Sequence, residues 1–128
     1  MSWTYHQASG AIAFDGAPIG GGYAGGNIPP NFNPAAKNNP AWESVHLFGP
    51  LPRGGYTIGE AYHDPQLGPC AMRLTPNPAN QMYGRGGFFM HCDSIHHPGQ
   101  ASEGCIVLPL AILQRIAASP DRELQVEA

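Results

Sequence analysis

The chain is short of charge, and of bases above all. Only 12% of its 128 residues are Asp, Glu, Lys or Arg, and six Lys and Arg against nine Asp and Glu leave a net charge of −3. The bases are scattered, so there is no patch to neutralise nucleic-acid phosphates, and that class of partner is excluded. Long apolar runs are also missing. The longest, residues 105–113, contains Pro109 and falls far short of the ~20 residues a membrane-spanning helix needs. The first twenty residues carry no Lys or Arg and no sustained apolar stretch, so no secretory signal peptide is expected and synthesis in the cytoplasm is. Cysteine is scarce and odd in number: Cys70, Cys92 and Cys105 stand at irregular spacing. A disulfide scaffold wants an even set, so at least one thiol is expected to be free unless it pairs with another molecule.

What the chain does have is glycine (17) and proline (14), nearly a quarter of its residues, together with 42% hydrophobic residues. That much apolar surface beside so little charge argues against disorder. A single domain over residues 1–128 is expected, built of short elements and many tight turns. Trp3 to Gln7 and Ala11 to Phe14 alternate around a turn at Ala8-Ser9-Gly10, and Asp15-Gly16 signals another turn. Residues 20–40, rich in Gly, Asn and Pro, predict a long loop that covers or borders a site, or a plain connector. Tyr56-Thr57-Ile58, Met72 with Leu74, and Phe88-Phe89-Met90 read as strands, with a Pro/Asn loop over residues 75–80. One helix is predicted, with Pro109 in its first turn, Leu110, Ile112, Leu113 and Ile116 on its apolar face, and Ser119-Pro120 at its end. Residues 123–126 alternate again, giving a mainly β domain.

The chemistry concentrates in residues 91–107, where three of the six histidines and two of the three cysteines fall. Two chemistries fit. Nucleophilic catalysis needs a thiolate, and a free thiol near pKa ~8.5 requires a base beside it at neutral pH. Cys105 follows Gly104, which lets a substrate approach and whose backbone N–H, with that of Cys105, could stabilise an oxyanion. His91 ends a predicted strand able to hold its imidazole near Cys105. The other chemistry is zinc, for which His91, Cys92, Asp93, His96, His97 and Cys105 are all possible ligands. However, no CxxC or HExxH spacing occurs, and neighbours such as His91 and Cys92 on a strand point to opposite faces.

A histidine followed later by Ser-X-Gly-Cys, here His91 and then Ser102-Glu103-Gly104-Cys105, resembles the catalytic signature of the L,D-transpeptidase family. The resemblance is closest to its small type VI secretion effector branch. It is carried by Gly-Pro-Leu-Pro-Arg-Gly-Gly-Tyr-Thr-Ile-Gly at 49–59, by Gly-Arg-Gly-Gly-Phe-Phe-Met-His at 84–91, and by Ala-Ser-Glu-Gly-Cys-Ile-Val at 101–107. Weaker similarity extends to Trp3-Thr4-Tyr5. The wider family usually has His between the Ser and the Gly, where Glu103 stands. It often has Arg two residues beyond the nucleophile, where Val107 stands.

The resemblance implies a β-sandwich-like fold with short strands and one short helix near the C-terminus, no cofactor and no bound metal, and peptidoglycan stem peptides as substrate. Cys105 would be the nucleophile, His91 the base, and Gly104 part of the oxyanion site. Ser102 would shape the turn, a backbone carbonyl of Cys92 or Asp93 would orient His91, and Arg85 would offer charge to a substrate carboxylate. The activity implied is removal of the terminal D-alanine from tetrapeptide stems, its exchange for other D-amino acids, or both. Loading onto secretion machinery, delivery to the periplasm of a target bacterium and a cognate immunity protein follow from the same resemblance, with no membrane insertion. A zinc-binding module and an inactive peptidoglycan-binding domain are the alternatives. Cell-wall cysteine amidases that place Cys before His have the opposite order to this chain.

Overall fold

The computed structural model describes residues 2–128. The chain begins with a hairpin of β1 (Trp3–His6) and β2 (Ala11–Phe14), with Trp3 opposite Phe14 and Tyr5 opposite Ile12. Trp3 and Tyr5 are buried and their neighbours are not, the period-two pattern of a strand with one face on a core. Asp15 and Gly16 both take positive φ, as a tight two-residue hairpin turn demands. The chain then returns as β3 (Ala17–Gly21) and continues into β4 (Tyr23–Ala24). The predicted loop from residue 20 therefore starts later than expected, because Gly20 and Gly21 pair with Ile12 and Ala11.

After a 3-10 turn at Pro40–Trp42 come β5 (Gly54–Ile58), β6 (Tyr62–Asp64), β7 (Gly68–Pro76) and β8 (Phe88–His91). The rest of the chain forms β9 (Ile106–Val107), α1 (Leu110–Ala118) and β10 (Glu123–Glu127). Thr75 and Pro76, expected in a loop, lie in β7 opposite Thr57 and Tyr56. The strands run in the order β3-β2-β1-β10-β5-β7-β8-β9-β4, with β6 beside β7. The β1–β10 and β8–β9 pairs are parallel, and the others are antiparallel.

The two ends of that order, β3 and β4, are separated in the chain by Gly22 alone. The sheet therefore curls until its edges nearly meet, a mainly β, barrel-like sandwich with one helix near the C-terminus. Gly22 permits the crossing, since a Cβ there would stand 1.7 Å from the Val107 carbonyl oxygen.

The core fills from alternating positions: Leu124 and Val126 of β10, Tyr56 and Ile58 of β5, Met72 and Leu74 of β7, Phe88 and Met90 of β8. Leu113 and Ile116 bring α1 onto it, the latter half of the predicted apolar face. Pro109 sits just before the helix, where its missing N–H costs nothing. Arg122 satisfies the far end by donating to the Ile116 (3.0 Å) and Ser119 (3.2 Å) carbonyls. No helix among the described residues is long and apolar enough to cross a membrane.

Candidate active site

The informative segment folds into a turn built around one hydroxyl. Ser102 is fully buried. Its Oγ accepts from the N–H groups of Gly25 (2.8 Å) and Gly104 (3.1 Å), and donates to the Cys105 carbonyl (2.5 Å). The Asn27 N–H donates to the Ser102 carbonyl (2.8 Å), so the Gly- and Asn-rich loop borders the site by gripping this serine. Gly104 takes φ +142°, and a Cβ on it would meet Phe88 Cε1 at 2.6 Å and Arg85 Nη2 at 2.7 Å. Only glycine fits there.

The turn delivers Cys105 to the start of β9, alongside β8. The parallel register sets Met90 opposite Ile106 and His91 opposite Val107. Met90 and Ile106 point into the core, so strand alternation sends Cys105 and His91 to the opposite face of adjacent strands. The Phe89 N–H donates to Cys105 Sγ at 3.3 Å. Burial pushes the Cys105 thiol up to about 11, and the Glu103 carboxylate pushes the same way. The Phe89 N–H, Arg85 and the N–H of Cys105 itself oppose both.

His91 is 3% exposed. Its Nδ1–H donates to the Cys92 carbonyl at 2.7 Å, which leaves the lone pair on Nε2. Burial lowers its pKa, against the pull of that carbonyl and of Asp93 and Asp64. The resting pair is thus a neutral thiol and a neutral imidazole. They are not hydrogen-bonded to each other; the sulfur's partners are the Phe89 N–H and, at 4.0 Å, the Gly87 carbonyl.

Cys105 opens onto a recess of about 410 Å³ lined also by His46, Leu47, Arg85 and Glu103. Arg85 is buried, and its two Nη groups donate to four carbonyls: Glu43 (2.6 Å), Pro50 (2.9 Å), Gly49 (2.9 Å) and Glu103 (3.1 Å). The Leu51 N–H closes the circuit on the Gly104 carbonyl (3.0 Å). The three sequence segments at 49–59, 84–91 and 101–107 therefore converge on the Cys105 turn. A larger groove of about 480 Å³ lies elsewhere, lined by Thr57, Thr75, Asn77 and Gln125 among others, and contains no cysteine or histidine.

Behind the turn, Glu43 braces the same scaffold. Its carboxylate accepts from Arg53 Nη2 (2.9 Å) and from Gln7 Nε2 (3.0 Å), while Gln7 also donates to the Leu51 carbonyl (2.9 Å). Burial would raise its pKa, but the bonds from Arg53 and Gln7 outweigh it and hold the carboxyl at about 2. A folded-state value below the ordinary 4.5 means this stabilisation is complete above pH 4.5 and is lost as pH falls toward 2. Urea titrations from pH 6 to pH 2 are expected to show a loss on the order of 2–3 kcal/mol that Glu43→Gln largely removes. An identical slope in the variant would assign the acid sensitivity to other carboxylates.

Several expectations change in detail. The Gly104 N–H does not face a substrate, because the positive φ turns it onto Ser102 Oγ. Of the two residues proposed to orient His91, Cys92 does so. The Asp93 carboxylate instead accepts from the Tyr23 hydroxyl (2.5 Å), Ser94 N–H (2.8 Å) and Gly99 N–H (3.0 Å), shaping the loop over residues 93–101. Arg85 spends its Nη donors on the protein's own carbonyls, which leaves its field, more than its hydrogen bonds, for a ligand. Val107, where the wider family often has Arg, is buried opposite Tyr23 of β4. Among the described residues, no three of His, Cys, Asp and Glu converge as a metal site. Tyr23, Asn27 and Glu43 were not anticipated, and a cradle of backbone carbonyls leaves no mark in residue type by which to find it.

No curated protein matches the chain significantly. A profile of the Tlde1 domain matches residues 33–121, which takes in the Glu43 brace, the 49–59 segment, Arg85, His91 and the whole Cys105 turn. With well over half its length matched, the chain belongs to the Tlde1 domain family, type VI secretion L,D-transpeptidase effectors that act on peptidoglycan.

Proposed function

We propose that the protein is a cysteine-dependent L,D-carboxypeptidase that also exchanges D-amino acids on peptidoglycan stems. The observation that carries this is the pairing of β8 with β9. It puts a thiol and a tautomer-fixed imidazole on one face of adjacent strands, with the thiol lining a recess and the imidazole buried behind it. Cys105 Sγ attacks the carbonyl of the L-centre residue before the terminal D-alanine. Its proton passes to His91 Nε2, which hands it to the departing amine of D-alanine as the C–N bond breaks. The Cys105 N–H is the backbone donor to the developing oxyanion. Water then resolves the thioester to a tripeptide, or the amine of a D-amino acid resolves it to an exchanged tetrapeptide.

Because burial keeps the thiol neutral, the base acts during attack rather than through a resting ion pair. A hydrogen bond between them is expected to form only when substrate fills the recess, as is common for catalytic pairs without ligand. Iodoacetamide labelling of Cys105, followed by peptide mapping, is therefore expected to accelerate about tenfold per pH unit between pH 7 and pH 10. A plateau already at pH 7 would indicate a preformed thiolate–imidazolium pair and overturn this sequence of proton movements.

The reaction itself is tested by mass spectrometry of purified tetrapeptide muropeptides incubated with the protein, with and without D-methionine. Tripeptide is the expected product, with a D-methionine adduct when the amino acid is present. Unaltered tetrapeptide from folded, fully reduced protein would refute the activity. Delivery to the periplasm of a target cell and neutralisation by an immunity protein that occludes the Cys105 recess belong to the same proposal.

A further inference from the structure

One side chain at the recess is unexplained by the machinery above. Glu103 is exposed, and it lines the same recess as Cys105. The strongly positive φ of Gly104 between them folds the chain so that two residues two apart open onto one hollow. Among the described residues, the ion pairs are Arg53 with Glu43 and His6 with Glu127, and neither involves Glu103. Arg85 is close, but it grips the backbone carbonyl of Glu103 and three others rather than the carboxylate. Among the described residues, the carboxylate braces nothing.

Its position is also costly to the chemistry. A negative charge beside the sulfur opposes formation of a thiolate, and Glu103 acts in that direction on Cys105. The cost disappears when a cation occupies the space between them.

We propose that Glu103 is the specificity-determining residue of the recess, binding a primary ammonium on the side chain of the residue whose carbonyl Cys105 attacks. The substrate class is then a stem peptide whose L-centre residue bears a free amine, as diaminopimelate does. A peptide with that amine acylated is the discriminated competitor. Binding and activation are coupled, since the ammonium neutralises the one charge that disfavours the thiolate. This inference rests on the reading of Cys105 as nucleophile, but its test does not require turnover.

Binding is measured by calorimetry in the Cys105→Ala background, with a synthetic tetrapeptide containing a free diaminopimelate amine and with its N-acetyl form. The free-amine peptide is expected to bind about tenfold more tightly. Adding Glu103→Gln, an exposed and nearly isosteric change, is expected to abolish that preference while leaving the acetylated peptide unaffected. A preference that survives Glu103→Gln, equal affinity of both peptides for the parent, or binding of neither would each overturn the proposal. With Cys105 intact, Glu103→Gln is also expected to speed iodoacetamide labelling at pH 8 several-fold, and an unchanged rate would count against it. The two readings separate cleanly. Discriminating binding without tripeptide formation refutes the activity and keeps the ammonium site, whereas cleavage of both peptides with equal KM does the reverse.

Discussion

Cys105→Ala is expected to yield a folded protein that forms no tripeptide and incorporates no D-methionine. Loss of the proposed covalent nucleophile removes the route through a thioester, and the remaining groups cannot supply one. His91 has only water to activate, and an amide is a poor target for water. A fall in kcat on the order of 10⁴ or more is expected by comparison with other covalent hydrolases. The fold should survive because the sulfur contributes only two weak hydrogen bonds, one accepted from the Phe89 N–H and a long one donated to the Gly87 carbonyl. Leaving that N–H without its partner costs about 1–2 kcal/mol, less because the recess admits water. The check is the muropeptide assay beside circular dichroism of the same sample. Tripeptide formation by a folded Cys105→Ala protein would remove cysteine from the mechanism and turn attention to a water-activating role for His91.

Arg85→Ala is expected to have the largest effect on stability. The guanidinium donates to four carbonyls drawn from three separate stretches of chain: Glu43, Gly49 with Pro50, and Glu103. It also lies over the Phe88 ring, 5.1 Å from the centroid. Its removal orphans buried acceptors and opens a void beneath the nucleophile turn. A loss on the order of 3–5 kcal/mol follows, which for a domain of this size lowers the thermal midpoint by roughly 10–20 °C. Arg85→Lys should recover only a minor part, since one ammonium cannot span acceptors that a planar fork reaches at once. If instead Arg85 served chiefly to bind a substrate carboxylate, the alanine variant would keep its melting point and lose only affinity. The thermal melt alone distinguishes these outcomes.

Both substitutions touch residues the sequence singles out, but for different reasons. Cys105 and His91 are conspicuous by chemistry, because few residue types can act as nucleophile or base. Arg85 is conspicuous as one of few bases, and its charge suggested an external anion. The structure finds it buried and occupied by backbone. Gly104 shows the same contrast, with its importance anticipated and its reason altered. The expected amide donor is consumed by Ser102, and what matters is a left-handed backbone with no room for a Cβ.

Residue order alone determined the local features of this protein. Period-two alternation marks β1, β5 and β10, Asp15-Gly16 marks a hairpin, and Pro109 with the 110–116 spacing marks the helix, because each depends on neighbours a few positions away. The family signature is equally local. Tertiary structure alone decided what crosses the chain: that β1 pairs in parallel with β10, that β3 and β4 meet across Gly22, and that Glu43, Gly49, Pro50 and Glu103 offer their carbonyls to one guanidinium. Every residue carries the same carbonyl and the same N–H, so the partners they find depend on where the folded backbone puts them.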